Sequence, residues 1–337
     1  MKKISLLLFL LICFRAYSQD NLLREITSYN TGQAFTCITV DTSGNVWAGT
    51  DKAGIYYLDK RSNPKATFSV LTEVGTSTVS NYVIQTIAAD KGDKVWVGHA
   101  GLGGSTFASG GIEMININNF SEARHFYPDR NAECLPYLQR DGIASLNISS
   151  IVVDRFNTIW SANRSHYLIS GSDFILTPGT FSYKRQEESL FTSYSTWSDY
   201  RNGNEAPELP YPAYTCNVPA SATPGSRRCE SIACSNNEVW VSVYPYEYTT
   251  SRKGPGKVVD AEYFPARIVR YNLSGQFLGS ITFEDLGATE GGVFKSIYLT
   301  PQDNSWVGLS AGKGFAAKVK DCWILLNNQT LPDIFLP

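Results

Sequence analysis

The residues of this 337-residue chain whose types could do chemistry are three histidines, seven cysteines and three acids at matched spacing. His99, His125 and His166 are scattered, and no C-x-x-C pair accompanies them, so no tetrahedral zinc set presents itself. Nucleophilic catalysis needs a Ser or Cys beside a His with an orienting acid, and no G-x-S-x-G elbow occurs. His99 and His166 are the candidates for a general base, since imidazole titrates near neutral pH. The plainer reading of each is a solvated or hydrogen-bonded loop histidine, and no catalytic residue is assigned. Asp41, Asp90 and Asp154 each supply one acid to one turn. A calcium cage needs several converging oxygens, so these acids read as turn caps, and no metal is expected. The glycines between 101 and 111 lack a following Lys-Ser/Thr, which excludes a phosphate loop. No cofactor is expected.

The elements that would position such residues are written in a phrase that recurs five times. It runs Ile38, Asp41, Trp47; Ile87, Asp90, Trp96; Ile151, Asp154, Trp160; then to Trp240, and from Ile297 to Trp306. In the first copy, a β-branched run reaches Asp41, four turn residues follow, and a second run starts at Val46. Asp caps such a turn, and Gly44 or Asn45 tolerates a left-handed backbone, so the phrase is a hairpin. Further runs at 54–58 and 67–71 complete four short strands with no helix signal between them. The third copy places its third strand at His166–Ile169, and the fourth copy places its own at Ala266–Tyr271.

One four-stranded sheet cannot bury both faces; radial repetition buries them and protects the edges. The expected fold is therefore all-β, a β-propeller of antiparallel blades. Five blades are visible, with six or seven as alternatives and a solenoid of hairpins as the competing architecture. The five phrase tryptophans should fill the layers between sheets. Either Arg24–Tyr29 or Cys322–Leu326 should close the ring by pairing across the termini.

Asp41-Thr-Ser-Gly-Asn-Val-Trp-Ala-Gly-Thr50 and Asp90-Lys-Gly-Asp-Lys-Val-Trp-Val-Gly98 resemble the two-component regulator propeller repeat. That family reads I-x-x-D-x-x-G-x-φ-W-φ-G-T followed by a Gly-led strand. Cys234 and Thr300 replace the acid in the last two copies, and Ser161 and Ser242 break the tail. The resemblance implies a propeller of the kind used as extracytoplasmic sensors in hybrid histidine kinases of Bacteroidetes-type bacteria. It also implies stand-alone exported forms, the expected class here.

Export is read from the N-terminus as well. Lys2 and Lys3, an apolar stretch from Ile4 to Phe14, and Ala16-Tyr17-Ser18 make a signal peptide over residues 1–18, with Gln19 as the mature start. The stretch is short for a membrane span, and no second apolar run of that length follows. Residues 19–337 then form one propeller domain in the periplasm or at the cell surface. With 29 basic and 31 acidic residues, no basic stripe suggests nucleic acid. Six cysteines remain after the leader; a bridge from Cys216 to Cys229 or Cys234 is the most plausible, while Cys37 and Cys234 also read as small buried apolar residues.

Strand direction assigns the loops to faces. All first-to-second turns are tight, whereas insertions at about 127–147, 186–228 and 244–265, with 99–110, fall on the opposite face. That decorated face is the expected binding face. Trp197, Tyr200, Tyr244, Tyr246 and Tyr248 are its candidate ligand-binding residues, offering rigid amphipathic contact area to a glycan or a protein partner. The alternatives are a lyase or hydrolase with its site in the central channel, and a structural component of a surface complex.

Overall fold

The computed structural model describes residues 32–59, 67–74, 83–100, 110–127, 141–143, 145–164, 166–170, 173–177, 181–194, 229–252, 258–288, 292–301, 304–310, 313–319 and 322–327. All strands lie in a compact unit of residues 34–337; of the other unit, residues 1–33, only Gly32 and Gln33 are described.

That larger unit contains five four-stranded antiparallel sheets. Sheet one is β1 (Phe35–Val40), β2 (Val46–Thr50), β3 (Ile55–Leu58) and β4 (Ser69–Leu71). Sheet two is β5 (Val83–Ala89), β6 (Lys94–Ala100), β7 (Gly111–Asn116) and β8 (Asn119–Phe126). In sheet three, β9 (Asn147–Val153) and β10 (Ile159–Arg164) are followed by an inserted hairpin, β11 (His166–Ser170) and β12 (Asp173–Thr177), before β13 (Phe181–Lys184) and β14 (Thr192–Tyr194). Sheet four repeats this plan: β15 (Cys229–Cys234), β16 (Glu238–Val243), a hairpin of β17 (Tyr246–Arg252) and β18 (Val258–Phe264), then β19 (Arg267–Asn272) and β20 (Phe277–Ile281). Sheet five is β21 (Phe294–Leu299), β22 (Ser305–Leu309), β23 (Phe315–Val319) and β24 (Cys322–Leu326).

The first strands of all five sheets line one central pocket, which identifies a ring and not a solenoid. The molecule is a β-propeller of five blades. Four apolar cores join sheets one to two, two to three, three to four and four to five. Each is built the same way: the tryptophan of one sheet packs with the phrase isoleucine of the next, as Trp47 with Ile87 and Trp160 with Ile232.

The acid of the phrase does more than cap. Asp41 Oδ1 accepts from the Ser43 and Asn45 amides, at 2.8 and 3.0 Å, while Oδ2 accepts from Trp47 Nε1 at 3.0 Å. Asp154 repeats the arrangement with Phe156, Thr158 and Trp160 Nε1. In these two copies the six-residue spacing ties the turn to the ring, whereas Asp90 caps its turn through the Gly92 and Lys94 amides without reaching Trp96 Nε1. Where Cys234 replaces the acid, Glu238 Oε2 accepts from Trp240 Nε1 at 2.7 Å, and Ser235 Oγ caps the turn. The Gly-led third strand also has a steric cause. Gly54, Gly111 and Gly314 have φ between +84° and +92°, and a side chain at each would strike a carbonyl of the neighbouring fourth strand.

Several expectations are corrected. His166–Ile169 is not the third strand of its blade; among the described residues β11 pairs with β12 alone, and the blade's third strand is β13, which begins at Phe181. The insertion placed at 186–228 starts after Tyr194, since β14 still belongs to sheet three. Cys322–Leu326 pairs with β23 inside sheet five, so it makes no closure across the termini; Arg24–Tyr29 lies outside the described residues. Cys234 Sγ donates to Val153 O at 3.4 Å as a thiol, so it is not the partner of Cys216, which lies outside the described residues. Cys37 and Cys234 pack against apolar cores but are only partly buried. Trp306, unlike the other four phrase tryptophans, is exposed.

Candidate binding site

The first strand of each sheet is innermost, so its closing residues define the channel. Thr39, Ala88, Val152, Ala233 and Tyr298, with their neighbours on β5, β9, β15 and β21, line an open pocket of about 360 Å³. The alanines leave the room. The pocket lies beside the tight turns, because its lining comes from the ends of these strands and not their starts. Only Thr39, Cys234 and Tyr298 bring polar atoms on their side chains, and no histidine or carboxylate is among the lining residues. Burial, followed by the nearby Asp154 carboxylate, pushes the Cys234 thiol up to about 12, so it carries no thiolate at neutral pH. The pocket can hold an apolar group, with a hydroxyl from Thr39, a phenol from Tyr298 and the thiol of Cys234 as the polar side-chain groups of its lining.

The opposite rim carries the insertions. Arg164, at the end of β10, makes a two-pronged contact with Glu230 of β15, Nε to Oε2 at 2.8 Å and Nη2 to Oε1 at 2.5 Å, which ties sheet three to sheet four. Lys295 Nζ donates to the Tyr244 hydroxyl at 2.6 Å and lies 5.2 Å from its ring, linking sheet five to the insertion after β16. Of the candidate ligand residues, Tyr244 is half-buried and thus partly engaged by Lys295. Tyr246 and Tyr248 occupy alternate positions on β17, in a hairpin and not an irregular loop. Trp197 and Tyr200 lie outside the described residues. The structure thus gathers three of the five candidates on one insertion.

The histidine candidates part company. His166 opens β11 on the inserted arm. His99 does not stand at the mouth of the rim: it lies within β6 and is fully buried. Burial, reinforced by the positive charge of His125, lowers its pKa to about 3, so it stays neutral and is a poor proton acceptor. What sequence reasoning missed is the group beside it. His125 Nε2 donates to Gly110 O at 2.6 Å, its Nδ1 lies 4.0 Å from Oε2 of the buried Glu113, and its ring sits 6.1 Å from His99. The signal was available, because Glu113 interrupts the apolar alternation of β7 at an inward position. Among the described residues, no three His, Cys, Asp or Glu side chains are placed to hold a metal ion. No helix among them is long and apolar enough to cross a membrane.

No family model matches the chain, and no curated protein matches it. Among solved structures it is similar to an ancestral GH74 enzyme, at 13% identity and TM-score 0.50, covering 88% of this chain and 34% of that one. It is also similar to the extracellular domain of a putative one component system from B. thetaiotaomicron, at 14% identity and TM-score 0.49, covering 91% of this chain. A third is a catalytically inactive virginiamycin B lyase from Staphylococcus aureus with quinupristin, at 14% identity and TM-score 0.49, covering 92% of this chain and 76% of that one. The chain spans 29% of the length of the B. thetaiotaomicron domain. At such identities the likeness concerns the fold.

Proposed function

We propose that this chain is an exported β-propeller binding module whose ligand, an extracellular glycan or a protein, docks on the rim that carries the insertions. One observation carries the reading: the two rims are built to opposite standards. On one, all five first-to-second connections are tight turns closed by Asp41, Asp90, Asp154, Ser235 or Thr300, and the third-to-fourth connections span from two residues, between β7 and β8, to ten, between β3 and β4. On the other, two hairpin arms and the segments 101–110, 127–146 and 195–228 interrupt the blades. A rigid ring that concentrates its added chain at one end positions loops for contact. The phrase around Trp47 and Trp96 supports a sensor-like relative of the two-component regulator propellers, acting outside the cytoplasm.

The test is a glycan array together with a pull-down using the whole secreted chain. Binding that falls at least tenfold, about 1.4 kcal/mol, in Tyr244→Ala or Trp197→Ala supports the reading. Binding that those changes leave intact, but that a bulky substitution at Ala88 in the channel removes, would transfer the site to the pocket.

A further inference from the structure

Seven of the ten large apolar side chains exposed among the described residues lie on two sheets: Phe35, Ile38, Val40 and Val70 on sheet one, Tyr298, Trp306 and Ile324 on sheet five. Their register shows that they are not scattered. Tyr298, Trp306, Ala317 and Ile324 form one row straight across sheet five. The corresponding row in sheet four, through Ala233 and Trp240, is buried against sheet five. Ile38 of sheet one has four repeat counterparts, Ile87, Ile151, Ile232 and Ile297, which are 2–8% exposed; Ile38 is 64% exposed. Trp47, Trp96, Trp160 and Trp240 are 0–4% exposed; Trp306 is 39% exposed. No apolar core among the described residues joins sheet five to sheet one.

The molecule thus shows four times what covers a tryptophan row: the isoleucine face of the following sheet. It holds one such face uncovered, on sheet one, and one tryptophan row uncovered, on sheet five. We propose that these two faces are cognate and form a closable seam, of which the structure shows the open form. In the closed form the Tyr298–Trp306 row packs on Ile38 and Val40, as Trp47 packs on Ile87. Both walls border the same channel, since Thr39 and Tyr298 line one pocket. They need only move together. A second copy would have to bring a sheet into this gap whose other face is already covered by its own neighbour. The two rows are mainly apolar, their side-chain polar atoms being the hydroxyls of Tyr56 and Tyr298 and the indole N–H of Trp306. Closure therefore removes apolar surface from water, while those groups keep a path to the seam's edge or find partners. Open, the seam is a side entrance to the channel pocket; closed, it completes the channel wall.

The experiment is residue-level radical labelling of the whole chain in solution, read by mass spectrometry. Each residue is normalised to its own labelling in the unfolded chain. Phe156, an exposed ring elsewhere, is the reference. A closed seam labels Ile38, Val40, Tyr298 and Trp306 at least tenfold less than Phe156 in a particle that light scattering finds monomeric, a bias of about 1.4 kcal/mol toward closure. Ile38→Asp should then raise Tyr298 and Trp306 to the Phe156 level while Trp47 and Trp160 stay protected. Should Ile38→Asp unfold the chain, Val40→Ser gives the same readout at the neighbouring position. Labelling equal to Phe156 in the unaltered chain overturns the proposal. So does protection that vanishes on dilution with loss of a dimer, or protection indifferent to both substitutions.

Discussion

The layer between sheets three and four and the seam between sheets five and one are built from the same phrase and end differently. Trp160 is fully buried, its indole N–H is held by Asp154, and Ile232 of the next sheet packs in the same core. Trp306 stands on the equivalent strand, with Thr300 where the acid would be and the exposed Tyr298 5.6 Å away as its ring neighbour. The contrast teaches that the tryptophan of a blade is buried only where the following sheet covers it. The repeat encodes half of an interface, and the next copy supplies the rest.

The largest test of that contrast is truncation of the rings. Trp160→Ala removes a fully buried ring, and should cost about 3–5 kcal/mol in denaturant unfolding. Trp306→Ala, at the open seam, should cost less than about 1 kcal/mol. Equal losses would mean that Trp306 is covered in solution, which would favour the closed seam.

Glycine sharpens the same comparison. A methyl group on Gly98 would meet Ile148 Cγ2 of the next sheet at 2.7 Å, and one on Gly49 would meet Ile84. The Gly in the W-φ-G tail is therefore where the next first strand approaches most closely. Gly308 has no such neighbour: a methyl there would meet only Ser296 of its own sheet. Gly98→Ala should cost about 1–3 kcal/mol, and Gly308→Ala distinctly less, in the same unfolding assay. Just below these in expected size is Asp154→Ala. It strips acceptors from Trp160 Nε1 and from two turn amides, and should cost about 1–3 kcal/mol. Thr300→Ala, which frees only the Asn304 amide at an exposed turn, should cost about 0.5 kcal/mol.

These residues also show how much was legible beforehand. The phrase spelled out the turn, the tryptophan and the sheet count, because each depends on contacts within a dozen residues. The hairpin β11–β12 was misread as a blade strand, since β-branched alternation reports a strand but not its partner. The bare seam was invisible for a related reason: Trp306 and Ile38 are ordinary members of the phrase, and only the ring geometry reveals that neither has its complement. The rim was partly legible. Tyr244 was put forward for its aromatic neighbours and lies beside Lys295 on the insertion after β16, whereas Glu113 and His125 were overlooked because their pairing crosses two strands.

The effect most specific to a filled layer is acid sensitivity arising from His99, which is graded with pH and not lost in one step. By alternation along β6 it shares the face of Val95 and Val97, which is turned to sheet one, and it lies near His125 and Glu113. Its folded pKa of about 3 is below the ordinary 6.5, so below pH 6.5 the unfolded chain takes up a proton that the native chain refuses. Stability is then fully present above pH 6.5 and falls toward pH 3 by up to about 1.4 kcal/mol per pH unit. Asp41 acts with the same sign in a lower window. Burial opposes its charge, but hydrogen bonds from Trp47, Asn45 and Ser43 outweigh burial and hold its pKa below the usual 3.8. Its stabilisation is lost only as the pH drops through that range. Urea unfolding at pH 7 and pH 5.5 separates the two, since Asp41 stays ionised in both states across that interval whereas His99 takes up a proton on unfolding. His99→Gln should remove most of the slope there, and a slope left unchanged would show that the filled layer does not hold His99 neutral.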